Sequence, residues 1–318
     1  MKDSNVAQLT IEDFPTSTSA GQLFIAYVKI CIILGDFTKF SLRSQKSSDQ
    51  QCNIRNALYR WIKTLPDSLR LCHSDATHSL KPYTFEVRQL HVLYFATLTI
   101  LDRPLTLEKP PPTAAILASS FVAGLFEDFL ARDELRLLGP IFTFYLLAAA
   151  ITQLSSYRYT GLWQYARENL RVIATAQEEL TKRWPSALGS VRTYNRIRNL
   201  AMTQRRLDGF PENNLTTEQA AFFDDFGSEL CREWNVLCGK GNVTAINTAR
   251  DSSLGNFVSG SGLPNLSTLP VTSSALAVDE PGLMLEQDDG QSFGNVVQDP
   301  LTQFGEIGDW LCWNTIDC

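Results

Sequence analysis

Residues 166–184 read ARENLRVIATAQEELTKRW. Ala166, Leu170, Ile173, Leu180 and Trp184 recur at the steps that place side chains on one face of an α-helix. Arg167, Glu168, Arg171, Glu179 and Arg183 occupy the other face. Glu178 precedes Lys182 by four residues and Glu179 precedes Arg183 by four, the order in which each pair adds a few tenths of a kcal/mol. Pro185 has no N–H to donate and ends the helix.

The same periodicity extends outward in both directions. Upstream, Ile54, Leu58, Trp61 and Leu65 share one helical face that stops at Pro66, and Val87, Leu90, Tyr94, Leu98 and Leu101 form a second stripe ending before Pro104. EKPPPT, residues 108–113, is expected to be a rigid connector. Downstream, Thr216 and Gln219 stand at capping-box spacing and predict a helix with Phe223, Phe226, Leu230, Trp234 and Leu237 along one side. Alternating apolar and polar runs are scarce. The expected fold class is therefore all-α, an irregular multi-helix bundle over residues 1–238.

From Gly239 the composition shifts to Gly, Ser, Thr and Asn, which cannot bury enough surface to offset the entropy of ordering. Residues 239–278 are expected to be a flexible linker, and residues 279–318 a disordered tail in which acids alternate with Phe, Trp and Leu. The chain carries a formal charge of -6, yet residues 251–318 contain ten acids and no Lys or Arg, so the acidity belongs to this end. Within the tail, Phe304, Trp310, Leu311 and Trp313 are the candidate contacts to a coactivator groove; the competing reading is an unstructured terminus with stray aromatics.

Signatures of catalysis are absent. The chain has no G-x-S-x-G turn, no phosphate-binding G-x-x-x-x-G-K-[ST] loop and no H-E-x-x-H pair. Its three histidines are His73, His78 and His91. Cys72, His73, Asp75 and His78 could each ligate a metal, but their spacing matches no zinc module, so a polar loop is expected. His91 is expected to be a packing residue on its stripe. Cys231 and Cys238 do not make a binuclear cluster, which needs six thiolates, and the seven scattered cysteines fit a reducing compartment. No catalytic residue, metal ligand or cofactor-binding residue is assigned. The start of the chain, with Asp3, Glu12 and Asp13, does not read as a secretory signal. The apolar runs at 23–34 and 141–151 are shorter than the roughly 20 residues a bilayer requires and are expected to be buried core helices, so no membrane partner is expected.

Arg196, Arg198, Arg205 and Arg206 make a basic stretch that fits a nuclear-import signal or a phosphate-contacting face, and fits better a solvated helix face diluted by Leu200, Ala201 and Met202. The overall acidity gives no support for binding nucleic acid by charge.

Six segments occur in an order that carries a family resemblance: IEDFP at 11–15, LFIAYVKICIILGDF at 23–37, LYRWIKTLPDSLR at 58–70, LHVLYFATLTILDRP at 90–104, IFTFYLLAAAITQL at 141–154 and ENLRVIATAQEELTKRWPSA at 168–187. Together they resemble the middle homology region of fungal-specific transcription factors of the Zn2Cys6, or zinc binuclear cluster, class, over roughly residues 10–205. Trp61, Leu65, Leu69, Tyr94, Leu98 and Trp184 are then expected to be core anchors, and Arg103 to cap or pair at a helix end. The resemblance implies a nuclear regulator of a pathway-specific gene set, such as one for carbon use or a secondary-metabolite cluster. Its partners would be coactivators, the transcription machinery or a homologous transcription factor. In that family zinc is held by an N-terminal DNA-binding cluster. No such cluster, and no dimerising coiled coil, occurs in these residues, so direct DNA binding is not expected of this chain alone. IEDFP resembles a point already inside the region, so the first helices of the domain are expected to be missing. A shortened gene model and a regulator without a DNA-binding head both account for this. The rival function is a headless protein that sequesters or heterodimerises with a complete factor.

Overall fold

The computed structural model describes residues 10–14, 18–41, 47–73, 78–102, 111–203, 205–226 and 228–238. The expected linker, the tail with Phe304, Trp310, Leu311 and Trp313, the first half of the EKPPPT connector, Asp75 and Arg103 lie outside the described residues. Among the described residues there are nine α-helices: α1 (Thr18–Ser41), α2 (Ser48–Lys63), α3 (Phe85–Leu101), α4 (Thr113–Ala131), α5 (Ile141–Tyr157), α6 (Trp163–Thr181), α7 (Ala187–Thr203), α8 (Thr217–Asp224) and α9 (Trp234–Leu237). The same residues contain no strand and only two isolated bridges, Cys72 with Leu80 and Tyr159 with Leu207. The fold is an all-α, multi-helix bundle.

Its centre is α4. Residues 113–126 of this helix and Phe129 are buried without interruption, because Ala114, Ala115, Ala118, Ser119, Ser120, Ala123 and Gly124 are small enough to let α3, α5 and α6 pack around it. The helix is long and apolar enough to cross a membrane by length and composition, but 78% of its apolar window is buried inside the bundle. The C-terminal segment lies so close to α4 that a Cβ on Gly124 would stand 2.2 Å from the Leu230 carbonyl oxygen. Phe95 of α3 stacks on Phe121 of α4 at 4.6 Å, and Phe226 meets both rings at 5.0 and 5.7 Å. Such pairs add about 0.5–1.5 kcal/mol each beyond the area they bury.

The helix at 163–181 ends three residues before Trp184, and its surface ion pairs are Arg171 with Glu168 and Lys182 with Glu179, both three apart, in place of the two expected pairs four apart. Arg183 instead lies over the Trp184 ring. On α3 the expected stripe is buried, but so is the opposite face, since Arg88, Val92, Leu93, Phe95 and Thr99 are all enclosed. Arg88, 3% exposed, is tolerated there because its Nε donates to Asp128 of α4 at 2.8 Å. The C-terminus of α3 is held from α2: Arg55 pairs with Asp102, and the Gln51 amide donates to the Leu101 carbonyl at 2.9 Å.

Two expectations need correction. The capping box is present, with Gln219 N donating to Thr216 Oγ1 at 3.2 Å and Thr216 N donating to Gln219 Oε1 at 3.0 Å. The single helix expected after it is two, α8 and α9, with turns between. In a continuous helix the Leu230 carbonyl would accept from residue 234, but Trp234 N donates to Cys231 O and leaves the 230 peptide free to lie against Gly124. The second correction concerns the apolar run at 23–34. It is helical, but Phe24 and Ile32 are 50% and 60% exposed and Cys31 is exposed too, because α1 packs mainly on α2, α3 and the short turn at Ile11–Asp13 and turns these side chains away from them. The run at 141–151 is enclosed as expected, apart from the exposed Ile141 and the partly buried Phe144.

Candidate functional site

Pro66 and Arg70 shape a cleft at the C-terminal end of α2. Pro66 cannot continue the helix, and the returning chain lets Arg70 donate from Nε to Leu65 O at 3.1 Å and from Nη2 to Lys63 O at 3.0 Å, so the guanidinium caps the carbonyls that α2 leaves open. The next residues pair briefly with 79–81, through His73 N to Ser79 O at 2.9 Å and Lys81 N to Leu71 O at 2.8 Å. Cys72 Sγ donates to Phe226 O at 3.2 Å, and Leu80 N to Glu229 Oε1 at 3.1 Å, which fixes this loop against the segment after α8. His78 holds a left-handed backbone, φ +44°, a conformation uncommon for residues other than Gly.

These contacts enclose about 340 Å³. Ile62, Leu71, Phe222 and Phe226 give the cleft apolar walls, Lys63, Arg70 and Asp225 give it charge, and all three histidines line it. His91 is the innermost, fully buried on α3. Its Nδ1 lies 2.8 Å from Val87 O. A carbonyl oxygen only accepts, so Nδ1 carries the hydrogen and Nε2 presents a lone pair, which has no partner. Burial pushes the ring's pKa down to about 4, so it is neutral at physiological pH.

Of the sequence candidates for metal ligation, Cys72, His73 and His78 are among the described residues and Asp75 is not. Among the described residues no group of three or more His, Cys, Asp or Glu is arranged to hold an ion. Burial pushes the Cys72 thiol up to about 11 and the Cys231 thiol well above its ordinary range, so both are protonated thiols at physiological pH. The described residues do not fit a zinc cluster.

A second polar centre lies in the middle of the bundle. Glu233 is fully buried, and its Oε2 accepts from Gln153 of α5 at 3.0 Å and from Asn169 of α6 at 3.3 Å. Gln153 also donates to Ser119 Oγ at 2.8 Å, and Asn169 to Ser120 Oγ at 3.1 Å, so α4 contributes a hydroxyl to each arm. Arg232 pairs with Glu127 and donates to Asn169 Oδ1 at 3.2 Å. Burial pushes the Glu233 carboxyl up to about 7, opposed by the Gln153 and Ser120 hydrogen bonds and by Arg232. Sequence reasoning missed this centre. Its one signal was a polar residue inside each of two apolar patterns, Gln153 after AAAIT and Asn169 beside Leu170.

Trp61, Leu65, Leu69, Tyr94 and Leu98 are buried in one hydrophobic cluster. Trp61 stacks on Tyr94 at 5.4 Å and donates from Nε1 to Ala26 O at 3.1 Å, tying α2 to α3 and α1. Trp184 is half-buried against the same cluster, away from that pair, with its Nε1 donating to Leu138 O at 2.9 Å. The four arginines of the basic stretch do not share one helix face. Arg196 and Arg198 are on α7, which ends at Thr203, whereas Arg205 and Arg206 follow it. Arg206 lies 5.7 Å from the ring centres of both Tyr157 and Trp163, an arrangement that engages its charge with aromatic faces.

No family model and no solved structure matches the chain. Among curated proteins, the chain is 25% identical over 210 residues to the cutinase transcription factor 1 alpha of Fusarium vanettenii. That alignment covers 58% of this chain and 23% of the Fusarium protein, so the chain spans about a quarter of the relative's length. This homology to a fungal transcription factor supports a transcription regulator and weighs against an enzyme.

Proposed function

We propose that this chain is a nuclear transcription regulator of the Zn2Cys6 class that works through protein contacts. Its helical bundle is the regulatory region, and the acidic residues 279–318 engage coactivators or the transcription machinery. The observation that carries this reading is the 25% identity over 210 residues to a fungal transcription factor. The chemistry of the described residues is in keeping with it: the buried Glu233 carboxylate is bonded by Gln153 and Asn169, and the buried Cys72 and Cys231 thiols are protonated. The genes controlled form a pathway-specific set, for carbon use or secondary metabolism. The chain holds no cofactor of its own and acts on DNA through a partner.

Fusing residues 279–318 to a foreign DNA-binding domain tests the tail. The fusion is expected to activate a reporter, and Trp310→Ala with Trp313→Ala to remove most of that output, because acidic segments keep such side chains solvated until they enter a partner's groove. Equal output from both versions would sink the tail's role.

One observation favours the second reading, a protein that sequesters or heterodimerises with a complete factor. The outer face of α1 presents Phe24, Cys31 and Ile32 to solvent, a surface another helical protein could cover. Co-purification with a homologous zinc-cluster factor, lost on Ile32→Asp, separates this reading from the first.

A further inference from the structure

We propose that the cleft between the C-terminal ends of α2 and α8 binds a small monocarboxylate with an apolar body. A volume of about 340 Å³ is at the lower end of small-molecule sites and suits a ligand of about ten non-hydrogen atoms. Ile62, Leu71, Phe222 and Phe226 supply the apolar walls.

The charges set the class of ligand and its direction. The C-terminus of a helix carries partial negative charge and repels an anion. Here Arg70 donates to Lys63 O at the end of α2 and to Leu65 O just beyond it, and offsets that charge. Lys63, exposed beside it, makes no ion pair among the described residues, and the one carboxylate lining the cleft is Asp225. Together Arg70 and Lys63 outweigh Asp225 and the roughly half negative charge of the helix end, leaving a small positive excess at the outer end. The inner end is different. His91 Nε2 offers a lone pair there, and a lone pair repels a carboxylate oxygen. The ligand's charged group therefore belongs beside Lys63, with its apolar body directed towards Phe222, Phe226 and His91. His78, held at φ +44°, stands in the same wall, and strained backbone of this kind gathers at binding sites.

Occupancy would be felt in the core. Phe226 packs on Phe95 and Phe121, and its carbonyl accepts from Cys72, so a ligand against that ring joins α2 and the 71–73 segment to α3 and α4.

The test uses the full chain and three probes: octanoate, octanol and inorganic phosphate. Octanoate is expected to bind by calorimetry and to raise the thermal midpoint, since a ligand that binds only the folded state stabilises it. Octanol lacks the charge and phosphate lacks the apolar body, so each is expected to bind at least about tenfold more weakly. Lys63→Glu should weaken octanoate about tenfold and Lys63→Arg leave it within about twofold, because the contact is a point charge at an exposed position. Ile62→Phe, which fills the wall, should also weaken octanoate, and circular dichroism matching the wild type verifies the fold of each variant. Octanol equal to octanoate, phosphate equal to octanoate, an indifferent Lys63→Glu in a folded chain, or no binding at all would each overturn the proposal. The assay has no transcriptional readout, so it stands apart from the proposed function.

Discussion

Helices α4 and α1 are both apolar around most of their circumference, and the bundle treats them differently. Around α4 stand α3, α5, α6 and the segment at Leu230, which leave its inner fourteen residues no solvent. Helix α1 leans on α2 and α3 and leaves Phe24, Cys31 and Ile32 outside. A helix that is apolar all round is ordinarily enclosed. Among the described residues nothing encloses the outer side of α1, whereas the apolar character of α4 is explained by its neighbours.

The sharpest way to break this comparison is to shorten one phenylalanine on each helix. Phe121 stacks on Phe95 and has no exposure, so Phe121→Ala is expected to cost about 3–5 kcal/mol in urea unfolding of the full chain. Phe24 is half exposed, with Phe14 5.6 Å away, so Phe24→Ala should cost about 1 kcal/mol or less. Comparable losses at the two sites would mean that α1 is as fully packed in solution as α4.

How much of this was legible in the sequence follows from the same contrast. Periodicity found the faces that turn inward on two-sided helices: Ile54, Leu58 and Trp61 on α2, and Ala166, Leu170 and Ile173 on α6, are buried as spaced. It could not rank helices without a polar side. On α3 it picked five positions where the structure buries thirteen, because α4 and α5 pack on the face it left out. It also joined α8 to α9, since the spacing of Phe223, Phe226, Leu230 and Trp234 suits a helix as well as it suits turns lying across α4. The cleft could not be read at all. His91 is brought to His73 and His78 by tertiary packing, and nothing in local spacing encodes that approach.

The polar interior of the enclosed region gives the next test. Glu233 ionises near pH 7 in the folded protein and near 4.5 at its ordinary value. Over that interval the folded state binds more protons than the unfolded state, so stability falls as pH rises from about 4.5 to 7 and then levels, by about 3 kcal/mol in total. His91 acts with the opposite slope. Its pKa is depressed from 6.5 to about 4, so its contribution is lost as pH falls through that range. Glu233→Gln keeps an acceptor for Gln153 and Asn169 and removes only the first slope. The variant should gain on the wild type steadily from pH 5 to 7.5 in urea midpoints, and a constant difference would show that Glu233 does not titrate inside the bundle.

The smallest effects come from one substitution made on both helices. Gly35 lies inside α1 with nothing within 4 Å of where its Cβ would stand, and Gly124 lies inside α4 with the Leu230 carbonyl oxygen at 2.2 Å. Replacing Gly by Ala within a helix gains about 1 kcal/mol from backbone entropy at either place. At Gly35 that gain should appear undiminished. At Gly124 the new methyl must displace a peptide that also carries Cys231 and Glu233 into the core, an overpacking that costs about 1–3 kcal/mol or more. The propensity gain is common to both variants, so it cancels from the difference between them, and what is left measures how tightly the C-terminal segment is laid on α4. A difference near zero would detach residues 230–233 from the centre of the bundle, and with them the buried carboxylate network.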